Sequence, residues 1–203
     1  VRKIKKKKKI EYDRDDERTL GEDILDFIKV FAISALVILL FMHFIAYPVT
    51  VSGRSMVPTL QNGEYGFTNI INLAFKEPAR GDIVVVNMYN EDTQQNEKWV
   101  KRIIGLPGET IECKNETIYI NGKALDESSY ISSSYRQKMI DEYGYFNMDF
   151  SAVKLGKNQY FVMGDNRPYS KDSRYKDVGP ITKSQIFGDG IFVIWPLSVF
   201  GGK

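Results

Sequence analysis

Cysteine and histidine are almost absent from this chain of 203 residues, with one of each, Cys113 and His43. A single thiol excludes an internal disulfide framework and any zinc site assembled from several thiolates. A single imidazole, set inside a long apolar run, excludes a Ser-His-Asp triad, a Cys-His dyad and a poly-histidine metal centre elsewhere in the chain. A hydrolase built on this sequence needs another base. Net charge is also small, +2 from 28 Lys and Arg against 26 Asp and Glu. That balance hides an asymmetry, because seven cations crowd between Arg2 and Lys9 and an acidic run extends from Glu11 to Glu17. No aromatic or groove-reading pattern accompanies the basic cluster, so it does not point to nucleic acid. With 12 Phe, 12 Tyr and 2 Trp in the chain, a packed core is available, and the length suits one domain with a small insert.

The charged segment gives way to an apolar one. Residues 30–47 read VFAISALVILLFMHFIAY, 18 residues without a formal charge. As a helix this run is about 27 Å long, close to the roughly 30 Å hydrocarbon core of a bilayer. A secretory leader has a shorter apolar stretch and a small-x-small ending, whereas this run ends in Ala46-Tyr47-Pro48. A core helix would carry a polar face. The sequence therefore predicts a charged cytoplasmic tail over 1–23, a retained anchor in the lipid bilayer over 24–47 ended by Pro48, and an extracytoplasmic domain over 48–203.

Beyond the anchor the pattern turns to short runs rich in Val, Ile and aromatics, at 82–86, 98–104, 110–114, 117–120, 159–163 and 191–195, bounded by turn residues. The fold class is mostly β. Residues 128–147, heavy in Ser and Tyr, read as a loop or small insert.

Two segments carry candidate chemistry. The first is Val51-Ser52-Gly53-Arg54-Ser55-Met56-Val57-Pro58-Thr59-Leu60, where glycine permits close backbone approach, proline stiffens the turn and apolar residues flank a hydroxyl. It is not the Gly-x-Ser-x-Gly elbow, since Val57 occupies the second glycine's place. The second surrounds Lys101, where alternation puts Trp99, Lys101 and Ile103 on one strand face and Val100, Arg102 and Ile104 on the other. Desolvation would lower the lysine's pKa, so that a neutral amine could take a serine proton. Composition alone also accommodates a lysine that snorkels to solvent and a serine that merely turns the chain.

Ser55 to Leu60, Lys101-Arg102-Ile103-Ile104-Gly105-Leu106-Pro107-Gly108-Glu109 and the later stretch from Gly164 to Arg174 resemble, in order and rough spacing, the bacterial type I signal peptidases. Arg80-Gly81-Asp82-Ile83-Val84-Val85 also fits, and the resemblance runs from about Lys29 to Pro196. It implies a β catalytic core with a small β insert at about 115–158. It also implies Ser55 as nucleophile and Lys101 as general base. Ser170 would orient the lysine, Asp172 and Arg174 would form a supporting ion pair, and Gly164 would allow the turn that carries them. Val51, Met56, Leu60, Val85, Trp99 and Val100 would wall shallow pockets for small substrate residues. Gly53 stands where some branches of the family place an oxyanion-binding serine, which leaves the Ser55 N–H as one donor and a second unassigned. Glu109 departs from a frequent Asp and reads as structural. The implied substrates are the signal peptides of exported preproteins, cut after small residues at −1 and −3 near the export machinery. No cofactor or metal is expected. Two other readings stay open: a Ser-Lys autopeptidase, which should carry a DNA-binding domain where this chain has an apolar run, and an inactive or specialised homologue acting as a membrane-anchored binding module.

Overall fold

The computed structural model describes residues 19–90 and 93–203. The basic and acidic part of the expected cytoplasmic tail, up to Arg18, lies outside the described residues. The chain divides into two units, Val1–Leu40 and Phe41–Lys203.

The first unit holds most of α1 (Leu20–Phe44), the one helix among the described residues that is long and apolar enough to cross a membrane. The Thr19 hydroxyl and the Glu22 carboxylate exchange bonds with each other's backbone N–H groups, which supplies partners to donors that have no intrahelical acceptor. The helix starts and stops earlier than the 24–47 expected. It ends at Phe44, and Pro48 is not its terminator but a residue of the next strand. Pro48 fits there because that strand lies at the edge of its sheet, where a missing N–H is tolerated.

The second unit is mostly β. Its elements are β1 (Ala46–Thr50), β2 (Tyr65–Asn69), α2 (Asn72–Phe75), β3 (Ile83–Asn90), β4 (Gln95–Gly105), β5 (Thr110–Lys114), β6 (Thr117–Ile120), β7 (Lys123–Ala124), α3 (Ser133–Tyr143), β8 (Phe150–Lys154), β9 (Gln159–Met163), β10 (Ile181–Thr182), β11 (Ile186–Trp195) and β12 (Gly201–Gly202), with short 3-10 turns at Lys183–Gln185 and Leu197–Val199. The larger sheet runs β1-β2-β11-β3-β4-β9-β10, with β12 on β11; the smaller runs β7-β6-β5-β8. All the pairings are antiparallel.

Both faces of the larger sheet are buried where β3 passes through it. Val84 and Val86 pack with Ile103, Val162 and Ile186 on one side, while Ile83 and Val85 pack with Val51, Met56 and Leu60 on the other. Each such side chain, fully buried, contributes about 1.5–3 kcal/mol. Ile104, Phe161 and Met163 of the larger sheet join Ile111, Cys113, Ile118 and Leu155, so a continuous apolar core ties the smaller sheet to the larger. The stretch 128–147 is more ordered than a loop. It contains α3, started by the Ser132 hydroxyl accepting from Tyr135 N–H and stopped at Gly144, which adopts a φ of 82°.

Candidate active site

Between β1 and β2 the chain makes a loop whose neck is closed by two 2.8 Å backbone bonds, Val51 N–H to the Glu64 carbonyl and Gly63 N–H to the Val51 carbonyl. Gly53 takes a φ of 89°, a conformation that side-chain-bearing residues resist, and its N–H donates to Asn62 Oδ1 at 2.9 Å. The Ser55 N–H, by contrast, donates to no acceptor among the described residues. The loop is pinned from outside as well. Asn166 N–H donates to the Ser55 carbonyl at 2.9 Å and Asn166 Nδ2 to the Arg54 carbonyl at 3.1 Å. Tyr135 Oη donates to the Val57 carbonyl at 2.8 Å, and the Thr59 hydroxyl to the Asp165 carboxylate.

Lys101 comes from β4, opposite Val84 of β3. It is 4% exposed, and its Nζ lies 3.0 Å from Ser55 Oγ and 5.6 Å from the centre of the Trp99 ring. Burial lowers the pKa of the amine to about 8; the carboxylates of Asp172 and Asp165 oppose that fall and the Arg174 guanidinium assists it. Ser55 and Lys101, 46 positions apart in the chain, are thus brought into hydrogen-bond contact, with the amine tuned toward neutrality.

Behind the amine, Asp172 accepts from the Gly164 N–H at 2.9 Å, from Arg174 Nε at 2.8 Å and from the second Arg174 nitrogen at 2.9 Å. Burial works against the Asp172 charge, yet the Arg174 guanidinium and then Lys101 hold its carboxyl below the ordinary range. Arg174 also donates to the carbonyls of Arg167 and Ser170, at 2.7 and 3.2 Å.

Ser170 departs from the role expected of it. Its hydroxyl is buried but makes no hydrogen bond, and the Lys101 amine is bonded to Ser55 alone among the described residues. The hydroxyl is instead packed against Gly164: a Cβ there would come within 2.4 Å of both Ser170 Oγ and the Ser55 carbonyl oxygen. Gly164 is accordingly needed for close approach rather than for a turn of positive φ.

A cleft of about 650 Å³ opens beside the pair. Val51, Met56, Trp99 and Val100 line it. Leu60 and Val85 do not; both are completely buried and pack beneath Val51 and Met56 in the same apolar cluster. Val85 pairs with Val100 in register and so shares its face of the sheet, but it lies deeper in the cluster, with Val100 only partly buried beside the cleft. Arg102 points away from the amine, its guanidinium donating to Asp165 at 2.7 and 2.8 Å and to the Gly81 carbonyl at 2.7 Å. Glu109 closes its own turn by accepting from Leu106 N–H at 2.7 Å and pairs with Arg80, a structural arrangement.

Sequence reasoning missed Asn62, Thr59, Tyr135 and Asn166 as supports of the loop that carries Ser55. Asn166 sits inside the Gly164–Arg174 motif and could have been found; Tyr135 carries no local signal, being 78 positions from the carbonyl it holds.

A family model described as signal peptidase, peptidase S26, matches residues 24–195. The chain is 44% identical to Signal peptidase I S of Bacillus subtilis over 87% of its own length and 92% of that protein. It is 42% identical to Signal peptidase I T of the same organism over 86% of each chain. It is 36% identical to Signal peptidase IB of Staphylococcus aureus over 89% of its length and 94% of that protein's. A crystal structure of a signal peptidase I from Enterococcus faecalis is 34% identical, with a TM-score of 0.46 over 56% of this chain and 96% of that one.

Proposed function

This chain belongs to the signal peptidase family, peptidase S26, and we propose that it removes signal peptides from exported preproteins with Ser55 as nucleophile and Lys101 as its base. The observation that carries the reading is the 3.0 Å approach of Ser55 Oγ to a buried amine whose pKa lies near 8. The neutral amine takes the hydroxyl proton as Oγ bonds to the scissile carbonyl carbon. The oxyanion so formed is met by the unengaged Ser55 N–H. The ammonium then returns the proton to the leaving amine as the C–N bond breaks, and the signal peptide is left as an ester on Ser55. Lys101 next deprotonates a water that attacks the ester, and the serine recovers its proton. Asp172 and Arg174 hold the wall behind the amine, and Val51, Met56, Trp99 and Val100 accept the small residues at −1 and −3.

Helix α1 spans the bilayer once in this reading, with the basic N-terminal segment cytoplasmic and the β unit outside, beside the export machinery. The test is cleavage of a preprotein, or of a peptide with an Ala-x-Ala site, by the lipid-reconstituted chain and its Ser55→Ala variant. Cutting after the −1 alanine, lost in the variant, is expected. Equal cutting by the variant would sink the proposal.

The pH dependence has a definite sign. Below pH about 8 the amine is protonated and cannot accept the serine proton, so kcat/KM should rise about tenfold per unit from pH 6 and level off above about 8. A profile flat from pH 6 to 10 would rule out a lysine base with that pKa.

A further inference from the structure

The cleft is not symmetrical about the dyad. Four antiparallel pairings separate β1 from β4, so the two strands run in the same direction, and both cleft walls travel from Tyr47 and Glu97 toward Ser55 and Lys101. Val51 and Val100, the walls for small apolar residues, lie on that approach. On the proposed reading, residues before the scissile bond fill this half, and residues after it must leave on the other side of Ser55.

That other side is the side of α3. Beyond Lys101, β4 continues to Ile104, which packs against the smaller sheet, and Tyr135 of α3 reaches the Val57 carbonyl. The Arg54 side chain belongs here. Its guanidinium lies 5.6 Å from the centre of the Tyr169 ring, both residues line the cleft, and Tyr143 of α3 is within electrostatic range. Arg54 is exposed, Tyr169 is 52% exposed, and no carboxylate among the described residues is within ion-pair distance of Arg54. The ring holds a cation next to the nucleophile without neutralising it. The buried carboxylates nearby are already committed, Asp165 to Arg102 and Asp172 to Arg174.

We propose that Arg54, braced on Tyr169, is a specificity-determining residue that reads the first two positions of the released chain and favours a carboxylate there. This rests on the dyad reading, because it needs the scissile bond at Ser55. The backbone of Arg54 is fixed by its carbonyl bonds to Asn166 and Val57, so its side chain can be changed without removing those bonds.

The experiment uses the lipid-reconstituted full chain and three peptides that share one Ala-x-Ala site and differ only at the second residue after the cut, Asp, Ala or Lys. Wild type should favour Asp over Lys by about three- to fivefold in kcat/KM at low salt, the range expected of an exposed charge pair. The gap should shrink in 0.5 M salt, a level that screens charges about 4 Å apart or more. Arg54→Gln should bring the ratio close to one and Arg54→Glu should invert it. An Asp-to-Lys ratio unchanged in both variants, with the Ala peptide still cut, would overturn the assignment. No cutting of any peptide by wild type would overturn the dyad reading itself, and the subsite with it.

Discussion

Lys101→Met is expected to abolish cleavage while making the folded protein more stable at pH 7. Methionine keeps the unbranched apolar stem and fills nearly the same space, but no amine remains to take the Ser55 proton. General-base loss alone is worth about 10²–10⁴ in rate, and loss of the proton supply to the leaving amine adds to it, so activity should fall below detection in ordinary assays. The stability effect has the opposite sign. The amine's pKa falls from its ordinary lysine value to about 8 on folding, and at pH 7 keeping it protonated in the folded chain costs about 3 kcal/mol. Between pH about 8 and the ordinary lysine range the unfolded chain binds the extra proton, so wild-type stability rises with pH there. The variant lacks both the cost and the slope. Urea unfolding at pH 7 and pH 10 should therefore separate the two proteins at the lower pH and bring them together at the higher. A variant less stable than wild type at both pH values would mean that the buried amine is a net structural support, and retained cleavage would remove Lys101 from the reaction. A gain in stability with a loss of activity is the usual mark of a group held in place for chemistry.

How much of this was legible in the sequence depended on whether the local pattern and the tertiary environment agreed. The runs at 82–86 and 98–104 were visible because β-branched residues run between turn residues, but the strands around them, Ile83–Asn90 and Gln95–Gly105, extend further, through mostly polar residues that carry no such signal. Strands β1 and β2 were not visible: β1 begins directly after an apolar helix and contains a proline, and β2 reads Tyr-Gly-Phe-Thr-Asn, with glycine near its middle. Gly66 is there because a Cβ would meet the Phe192 carbonyl at 2.2 Å, a contact that only the folded sheet creates. Helix α3 was missed for a related reason, since many of its residues are weak helix formers and its caps, Ser132 and Gly144, resemble ordinary loop punctuation. At the site, Ser55 and Lys101 could be paired through motif context, while the bond from Tyr135 depends on the packing of the insert and leaves no trace in spacing. Ser170 shows the limit of motif position. Its motif position suggested a bond to the amine, whereas its hydroxyl lies buried beside Gly164 and makes no hydrogen bond.

Replacing Asp172 should produce the largest loss of stability at the site and, in the protein that remains folded, move the pH profile to lower pH. Asp172 is completely buried and Arg174 almost so, and removing the carboxylate leaves the guanidinium with only carbonyl partners. Stranding one member of a buried ion pair costs about 3–5 kcal/mol, so Asp172→Ala should lower the unfolding midpoint markedly and Asp172→Asn, which keeps the acceptor oxygen, somewhat less. Because folding depresses the carboxyl's pKa, its contribution is fully present above the ordinary value of about 3.9 and is lost as pH falls through the native value. The same charge acts on the Lys101 amine. Asp172 raises the Lys101 pKa against the fall caused by burial, whereas Arg174 lowers it. Asp172→Asn should therefore shift the rising limb of kcat/KM to below pH about 8, and Arg174→Met should shift it upward, each measured on protein shown to be folded at the assay temperature. Opposite shifts from the two halves of one ion pair cannot arise from general loosening, which would move both variants the same way. Shifts in the same direction, or none, would mean that the pair supports the wall behind the amine without setting its basicity.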